Sequence, residues 1–283
     1  MITKKILIFG ATGQIGRYCI RRLVKNNYKV IAVTRNSHKA VFLKTQAPIG
    51  YLEIEQANIN DIQRITNLIS KVDVCINLIG ILFEKKNNTF QNIHVNFPSI
   101  LSKICKDNNI EKLIHLSALG IEKSTDSNYA ISKLEGENKI KNNFDQAVIL
   151  KPSIVYSVED NFTTSFMKLL NYLPVMPLYY QGRTKFAPIH VKDLSQIILD
   201  VVQNKTNEQT IECIGPEIIS FKEIILKILK SIDKKRILIP LPLSIAKISA
   251  KIFELMPNPL ITVDQINLLK YDNIASGKYK TNF

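Results

Sequence analysis

The chain has 283 residues, of which 46% are hydrophobic, so it can bury a sizeable core in one large domain or one core with an elaboration. No segment approaches the roughly 20 consecutive apolar residues of a membrane span, and the start, MITKKILIFG, lacks the apolar stretch of a signal peptide. We expect a cytoplasmic protein, or one peripheral to the cytoplasmic face of the inner membrane. The net charge of +14 favours acidic partners, namely phosphates, anionic lipid or an acidic protein, although biased codon usage would also produce it.

Two further classes are excluded by composition. The chain carries no nucleic-acid-binding motif and no tryptophan, so nucleic acid is not an expected partner. Its cysteines lie in apolar stretches without C-x-x-C spacing, which predicts buried free thiols and no metal site. They are Cys19, Cys75, Cys105 and Cys213.

The first half of the chain alternates short apolar runs with amphipathic stretches. Nearly unbroken apolar runs are typical of strands buried on both faces of a parallel sheet. They occupy residues 5–10, 29–34, 72–80, 112–117 and 146–156. Between these runs, apolar residues recur at spacings of three and four, which is typical of amphipathic helices. Examples are QIGRYCIRRLVKNN and FPSILSKICKDNN. This alternation predicts an α/β fold with a Rossmann-type doubly wound parallel sheet.

The rhythm changes after residue 156, where aromatic residues, Pro174, Pro177 and Gly182 appear. We expect residues 157–283 to form a smaller C-terminal elaboration on the substrate side, partly interwoven with the core of residues 1–156. Helices are predicted in VKDLSQIILDVVQN and in SFKEIILKILKSID, the latter with Ser220 as its N-cap. Phe162, Phe166, Leu169, Leu170 and Tyr172 are interpreted as cleft wall or core.

The tail contains a helical apolar stripe with two lysines beside it. Ile245, Ile248, Ile252 and Leu255 recur at helical spacing, and Lys247 and Lys251 lie off the stripe. Two interpretations stay open. The stripe either packs onto the rest of the protein or lies on an anionic membrane or a membrane-bound partner.

A glycine loop, IFGATGQIGR, joins the first strand to the first helix. Gly10 allows a tight turn, Gly13 allows the backbone to approach a pyrophosphate, and Gly16 allows close packing of helix on strand. The helix N-terminus offers unpaired N–H groups and a partial positive charge to phosphates. The loop predicts a bound nicotinamide dinucleotide and makes residues 1–156 its binding core.

The end of the second strand, VTRNSHKA, bears on the choice of dinucleotide. An acid here would hold the ribose 2′-hydroxyl of NAD(H), but the chain has Thr34 and Arg35. Arg35 suits a 2′-phosphate, and Arg17 is expected to point towards the same region. The prediction is NADP(H) over NAD(H). For His38 and Lys39 a solvated turn is the better interpretation.

A tyrosine and a lysine follow at a spacing suited to proton transfer. Tyr129 and Lys133 in SNYAISKLEGE share one helical face, and an ammonium beside a phenol lowers the tyrosine pKa. Ser117 ends the preceding strand and is expected to hydrogen-bond the same substrate oxygen. The predicted catalytic residues are Ser117, Tyr129 and Lys133. Buried packing is the interpretation for His94, His115 and His190, and a helix cap is that for Asp193.

These motifs resemble the extended or atypical short-chain dehydrogenase/reductases, over about residues 4–215. The stretches NLIG, HVNFPSI, KPSIVYSVED and FAPIHVKDL are similar to motifs of that family, with Asn58 in place of an adenine-side Asp and Ser157 in place of a Gly. With the glycine loop, the resemblance implies a set of cofactor-binding residues. They are Gly10, Thr12, Gly13, Gln14, Ile15, Gly16, Arg17, Arg35, Asn58, Ile59, Leu78, Ile79, Gly80, Asn96, Tyr129, Lys133, Pro152 and Ile154.

One subgroup is more similar than the rest. NLIGILFE, IHLSALGIEK and TVDQINLLKYDN resemble the nucleotide-binding accessory subunits of respiratory complex I and their bacterial relatives. That resemblance implies an NADP(H)-binding subunit or assembly factor of NADH:quinone oxidoreductase, whose cofactor is largely structural. The alternative is a free NADP-dependent reductase or nucleotide-sugar epimerase/dehydratase that uses the Ser-Tyr-Lys residues.

Overall fold

The computed structural model describes residues 4–254, residue 259 and residues 261–282. The strands are β1 (Lys5–Phe9), β2 (Lys29–Thr34), β3 (Leu52–Gln56), β4 (Val74–Asn77), β5 (Lys112–Leu116), β6 (Ala147–Pro152), β7 (Val155–Tyr156), β8 (Val175–Leu178), β9 (Lys185–Phe186), β10 (Ile189–His190), β11 (Thr210–Cys213), β12 (Ile219–Ser220), β13 (Ile237–Pro240) and β14 (Lys280–Thr281). The α-helices are α1 (Gln14–Lys25), α2 (Ile62–Ile69), α3 (Phe97–Asp107), α4 (Asn128–Asn143), α5 (Asn161–Tyr172), α6 (Val191–Val202), α7 (Phe221–Ser231), α8 (Leu243–Phe253) and α9 (Val263–Leu268).

In the described part of the chain, eight strands form one parallel sheet. Their order is β14–β11–β6–β5–β4–β1–β2–β3. Strands β2 and β3 are added on one side of β1, and β4 and the later strands are added on its other side. The predicted α/β fold with a Rossmann-type doubly wound parallel sheet is confirmed. The carboxyl ends of β1 and β4 flank the point where the order reverses, which is the edge at which such sheets bind ligands.

Both faces of the sheet are covered, as the unbroken apolar runs predict. Alternate residues of β1 belong to opposite layers: Ile6 and Ile8 pack in the cluster with α1 and α6, whereas Leu7 and Phe9 pack in the cluster with α2 and α3. The core is therefore divided by the sheet, and the strand ends between the two layers are free to carry functional groups.

The later part of the chain contributes to the main sheet and also forms a smaller layer beside it. Strands β11 and β14 extend the sheet beyond β6, and α6 packs against α1. The pairs β8–β13 and β9–β12 lie with α5 and α7 around a separate apolar cluster, which includes Phe166, Leu170 and Phe221. Tyr172, assigned to the same wall or core by its spacing, is instead 87% exposed at the end of α5.

Helix starts test the sequence assignments directly. Ser220 caps α7 in a capping box with Glu223, as predicted. The assignment of Asp193 as a cap is wrong. The N-cap of α6 is His190, whose Nδ1 accepts a hydrogen bond from the Lys192 N–H at 3.3 Å, and Asp193 stands in the first turn. A first-turn acid still interacts favourably with the helix dipole, which explains the similar sequence pattern.

All four cysteines are buried free thiols, as the sequence predicts. Among the residues described, no His, Cys, Asp and Glu cluster could hold a metal ion, and no helix has the length and apolar character required to cross a membrane.

Candidate functional site

The glycine loop has the geometry that a pyrophosphate requires. Gly10 has a φ of +79°, and a Cβ there would lie 3.0 Å from the carbonyl carbon of Leu78. A Cβ at Gly16 would lie 2.5 Å from the Gly10 carbonyl oxygen, so neither position accepts a side chain. Helix α1 starts after Gly13 without a side-chain cap, and Thr12 and Gly13 are exposed. The uncapped N–H groups of the first turn therefore suit an anionic ligand.

Two side chains of the first turn of α1 reach the loop after β7. The Gln14 Nε2 donates to the Ser157 Oγ at 3.0 Å, and the Arg17 guanidinium forms an ion pair with the Glu159 Oε2 at 2.6 Å. Ile15 lies between them and packs partly in the core. The expectation that Arg17 points towards the end of β2 is wrong, because its charge is matched by Glu159 on a different loop.

The end of β2 presents an arginine to solvent. Arg35 is exposed and makes no hydrogen bond or ion pair with any described residue. The turn that holds it is fixed by its neighbours, since Thr34 Oγ1 accepts from the Asn36 N–H and Ser37 donates to the Gln56 side chain. The guanidinium is thus free on an ordered turn, with no carboxylate bound to it.

The end of β3 lies directly beside this turn. The Ala57 N–H donates to the Thr34 carbonyl at 3.0 Å, so Asn58 and Ile59 follow next to Arg35 in space. The exposed Asn58 accepts the Asn60 N–H through its own side chain at 3.0 Å. The predicted adenine-side residues are therefore brought to the same edge of the sheet as Arg35.

The end of β4 forms the floor between the glycine loop and the Tyr-Lys helix. The Leu78 N–H donates to the Phe9 carbonyl at 3.1 Å, and the Ile79 N–H donates to the Asn77 Oδ1 at 3.1 Å. A Cβ on Gly80 would lie 3.3 Å from the Lys133 Nζ. These contacts place the glycine loop, residues 78–80 and Lys133 in one continuous surface.

Lys133 is a buried cation within that surface. It is 4% exposed, and its Nζ donates to the Leu116 carbonyl at 3.0 Å. Burial lowers the Lys133 pKa to about 8, and the nearby Glu137 opposes this change. The neighbouring Ser117 hydroxyl is buried and faces the Glu137 carboxylate, which it helps to keep charged. The Lys133 ammonium retains donors beyond its bond to Leu116, so it fits the nicotinamide ribose that the motif predicts.

Tyr129 is not activated in the way its spacing predicts. Burial and then the charge of Asp264 raise the Tyr129 pKa to about 12. Its ring packs edge-on against His94 and Phe90, with centroid distances of 5.3 Å and 6.0 Å. Lys133 is not among the groups that shift this pKa, and its ammonium is bonded to Leu116 instead. The expected lowering of the Tyr129 pKa by Lys133 is therefore corrected: the phenol stays protonated at neutral pH.

Asp264 also caps the helix that carries Tyr129 and Lys133. Its Oδ2 accepts from the Ser127 hydroxyl at 2.8 Å and from the Tyr129 N–H at 3.2 Å, and its Oδ1 accepts from the Asn128 N–H at 2.6 Å. An acid at a helix N-terminus satisfies free N–H groups and complements the helix dipole. No local sequence signal identified Asp264, because its partners lie more than 130 residues away along the chain.

The residues that follow Asp264 tie together the ends of other strands. The Asn273 Nδ2 donates to the Leu119 carbonyl at 2.6 Å, and its Oδ1 accepts from the Ser153 hydroxyl at 2.6 Å. Asp272 accepts the Lys185 N–H at 2.8 Å. Residues 261–273, called the C-terminal segment below, therefore fix the loops after β5 and β6 beside the Tyr-Lys helix.

A second buried cation lies behind the site. Lys151 is 1% exposed, and its Nζ lies 3.0 Å from the Glu137 Oε2 and also contacts Glu122 and the Tyr279 ring. Burial raises the Glu137 pKa against the opposing charge of Lys151. Glu137 stands four residues after Lys133, a helical spacing that could have identified it. The predicted residues Pro152 and Ile154 follow Lys151 and are buried and half-buried.

The turn before α3 presents a histidine, not an asparagine, to this region. Asn96 is exposed, and its Nδ2 donates to the Asn92 Oδ1 at 3.1 Å, so the structure does not bring it into the site. The π-helical form of residues 91–96 shifts the register and turns His94 inward. The His94 Nε2 accepts from the Ile81 N–H at 3.1 Å and its Nδ1 pairs with the Ser132 hydroxyl at 2.9 Å.

His94 and His115 are packing histidines, as expected. Burial and then Lys133 lower the His94 pKa to about 3, and the same causes hold the His115 pKa well below its usual range. Both rings are therefore neutral and cannot act as general acids near neutral pH. His190 fills the separate helix-capping role described above.

Comparisons with known proteins agree with this geometry. A model of the NAD dependent epimerase/dehydratase family matches residues 6–215. The mitochondrial NADH-ubiquinone oxidoreductase 40 kDa subunit of Neurospora crassa is 24% identical over 276 residues, which cover 97% of this chain and 72% of that protein. The mitochondrial NADH dehydrogenase (ubiquinone) 1 alpha subcomplex subunit 9 of Mus musculus is 28% identical over 271 residues, covering 94% and 72%.

Solved structures share the fold at low sequence identity. The Bordetella bronchiseptica enzyme WbmH in complex with NAD+ has a TM-score of 0.69 and 16% identity, covering 84% of this chain and 86% of that one. A UDP-glucose 4-epimerase of Thermotoga maritima with UDP-glucose has a TM-score of 0.68 and 16% identity over the same shares. Because the family model spans well over half of the sequence and the fold agrees, this chain belongs to the NAD dependent epimerase/dehydratase family.

Proposed function

We propose that the protein holds NADP(H) as a largely structural cofactor. In this role it serves as an accessory subunit or assembly factor of a respiratory NADH:quinone oxidoreductase, on the cytoplasmic face of an inner membrane. The names of the two mitochondrial relatives support the association with such a complex. The remaining support comes from the contrast between the two ends of the site.

The observation that carries the proposal is the state of Tyr129. Oxidation or epimerisation at this kind of site needs the phenolate as a base, whereas reduction needs the protonated phenol as an acid. Here burial and Asp264 raise the Tyr129 pKa to about 12, which disfavours the base role near neutral pH. The glycine loop, by contrast, keeps the close backbone contacts and uncapped helix that a dinucleotide needs.

The choice of NADP(H) rests on Arg35. Its guanidinium is exposed, bonded to no described residue, and adjacent to Asn58 at the edge where the adenosine ribose would lie. A 2′-phosphate would meet a free, planar, charged donor there. Arg17 does not contribute to this preference because Glu159 already pairs with it.

In this proposal Lys133 positions the cofactor. The bound group would supply hydride chemistry, while the chain supplies Lys133 and Ser117 as donors to sugar hydroxyls and residues 78–80 as a floor. Lys133 needs no role in proton transfer for this, since its ammonium already donates to Leu116 and retains further donors for the ribose.

A free reductase or epimerase/dehydratase is the second candidate. The observation in its favour is that the structure keeps all three of the predicted residues together, with Ser117 directly after the Leu116 carbonyl that Lys133 binds and Tyr129 one helical turn before Lys133. In that case a bound substrate or the charge of an oxidised cofactor would have to lower the Tyr129 pKa, since burial raises it more than Asp264 does.

Native mass spectrometry of the purified full chain tests the proposal. We expect a mass increase equal to NADP(H), retained through gel filtration, and no consumption of NADPH when ketone or nucleotide-sugar substrates are added. Tyr129→Phe should retain the nucleotide and should restore respiratory complex assembly in a deletion strain. Full loss of function in Tyr129→Phe with the nucleotide still bound would instead establish the catalytic alternative.

The nucleotide preference needs its own variant pair. Arg35→Asp should reduce NADP(H) affinity by about 10- to 100-fold and leave NAD(H) affinity equal or higher, since a charge-assisted pair is replaced by repulsion. Lys39→Asp makes the same charge change in the same turn and serves as the control, with an expected effect under about threefold. Equal NADP(H) affinity in Arg35→Asp and in the unaltered chain would overturn the preference.

A further inference from the structure

Helix α8 buries its small side chains and exposes its large ones. Ala246 and Ala250 are at most 1% exposed, whereas Ile245, Ile248 and Ile252 are 52%, 61% and 61% exposed. Steps of three and four residues place the isoleucines along one stripe. The stripe predicted from the sequence therefore faces solvent and does not pack onto the protein; its fourth member, Leu255, lies outside the described residues.

Strand β13, directly before α8, repeats this arrangement. Ile237 and Ile239 are 64% and 45% exposed, and they share one side of the β8–β13 pair opposite Val175. Leu238, on the other side of the strand, packs into the cluster of α5 and α7. The strand is therefore anchored through one face and presents the other to solvent.

The same stretch of chain is basic throughout. Residues 234–253 contain no Asp or Glu; Asp233 and Glu254 flank this range, and the Glu254 carboxylate accepts from the Val263 N–H at 2.8 Å. The cationic residues of the range are Lys234, Lys235, Arg236, Lys247 and Lys251. Arg236 donates to the Leu170 and Asn171 carbonyls at the end of α5, which fixes one positive charge beside β13. Lys247 and Lys251 form no ion pair with any residue that the structure describes.

We infer that these exposed isoleucines and the lysines beside them form a surface that binds an anionic lipid bilayer. An apolar stripe combined with unpaired lysines suits the boundary between acyl chains and negative headgroups. Helix α8 has 11 residues, hence a length of about 16 Å. It lies along the membrane, because a hydrocarbon core is about 30 Å thick.

The charge of this surface favours an anionic bilayer over a second copy of the chain as its binding partner. Symmetric pairing through this surface would bring the same lysines of both copies together without any acid from residues 234–253. A negatively charged bilayer neutralises all of them at once. This surface goes beyond the proposed function, since lipid binding requires neither a bound nucleotide nor a respiratory complex.

Sedimentation of the full chain with vesicles tests this inference. We expect binding to phosphatidylcholine vesicles that contain phosphatidylglycerol, and binding weaker by about tenfold or more to phosphatidylcholine alone or at high salt. The triple variant Ile245→Ser, Ile248→Ser and Ile252→Ser should bind the anionic vesicles at least about tenfold more weakly. Lys247→Gln with Lys251→Gln should weaken binding to a smaller extent.

A matched control separates this surface from general surface hydrophobicity. Ile49→Ser, Ile218→Ser and Leu226→Ser remove three side chains that are 102%, 61% and 46% exposed elsewhere, and should leave vesicle binding unchanged. Far-ultraviolet circular dichroism and nucleotide retention should be the same in both triple variants, which keeps the outcome independent of the cofactor.

Several results would overturn the inference. The unaltered chain not binding anionic vesicles is one, and equal binding by the α8 variant and the control variant is another. A dimer that dissociates only in the α8 variant would assign the surface to a second copy. Loss of co-purification with an acidic membrane protein, without any vesicle binding, would assign it to a protein partner.

Discussion

The two ends of the candidate site are built by opposite means. The phosphate end consists of backbone: Gly10 and Gly16 bring chain segments within reach of each other, and the N–H groups of α1 are left uncapped. The Tyr-Lys end consists of side chains, with the buried Lys133 bonded to a carbonyl and the half-buried Tyr129 beside Asp264. The backbone geometry of the glycine loop suits nucleotide binding, whereas the charges around Tyr129 and Lys133 determine whether a proton can be transferred there.

The largest effect is expected at the phosphate end. Gly16→Ala would place a Cβ 2.5 Å from the Gly10 carbonyl oxygen, so α1 must move away from β1. We expect a loss of about 1–3 kcal/mol in the free energy of unfolding and no nucleotide retained on purification. Urea unfolding and native mass spectrometry measure the two quantities.

Gly13→Ala serves as the comparison for that variant. Its Cβ would lie 3.3 Å from the same oxygen, which a small shift accommodates. It should unfold within about 0.5 kcal/mol of the unaltered chain yet bind the nucleotide more weakly, because the new methyl group faces the phosphates. Equal nucleotide affinities in Gly13→Ala and the unaltered chain would break the assignment of this loop to a pyrophosphate.

Lys133→Met is expected to separate binding from stability at the other end. The folded-state pKa of Lys133, about 8, lies below its usual 10.5, so the unfolded chain binds more protons between these values. Stability from this group therefore rises with pH from about 8 to 10.5, and the cost of the buried charge is fully present below pH 8. Replacement by the neutral Met should remove that rise and weaken nucleotide binding by about tenfold or more.

The measurement for Lys133→Met is urea unfolding without nucleotide at pH 7.5 and at pH 10. At the lower pH the variant should be as stable as the unaltered chain or more stable by up to about 2 kcal/mol, the lost bond to Leu116 offsetting part of the gain. Identical pH dependence in both proteins would show that Lys133 is not the group with the lowered pKa.

Asp264→Asn is expected to have an intermediate effect and to test the link from the C-terminal segment to the Tyr-Lys helix. The amide keeps the shape but loses the charge that complements three donors at the start of α4, which should cost about 0.5–2 kcal/mol. The Tyr129 pKa should fall but stay above 10, since burial is the larger of its two causes. Thermal unfolding and ultraviolet titration of tyrosine ionisation measure both.

Asp126→Asn is the matched control for Asp264→Asn. The Asp126 carboxylate is exposed and lies 3.4 Å from Lys270, so its loss should change stability by less than about 0.5 kcal/mol. A Tyr129 pKa unaffected by Asp264→Asn would mean that burial alone keeps the phenol protonated.

The contrast also explains how much the sequence could predict. The parallel sheet, the glycine loop and the capping of α7 by Ser220 follow from patterns within a few residues, because adjacent residues determine strands, turns and caps. The state of Tyr129 does not, since it depends on Asp264 from a distant part of the chain. The prediction that Asn96 binds the cofactor is not supported, because a π-helical turn that has no local sequence pattern directs His94 inward instead.

The smallest effect is expected for the arginine that the structure reassigns. Arg17 pairs with the Glu159 carboxylate, which is about half exposed, and such pairs contribute at most about 1 kcal/mol. Arg17→Gln should therefore leave the ratio of NADP(H) to NAD(H) affinity unchanged, whereas Arg35→Asp should invert or abolish it. Isothermal titration of these two variants with each dinucleotide separates an arginine whose charge is paired within the protein from one that is available to a phosphate. If Arg17→Gln loses the preference for NADP(H), Arg17 contacts the bound nucleotide, and its ion pair with Glu159 forms only in the nucleotide-free protein.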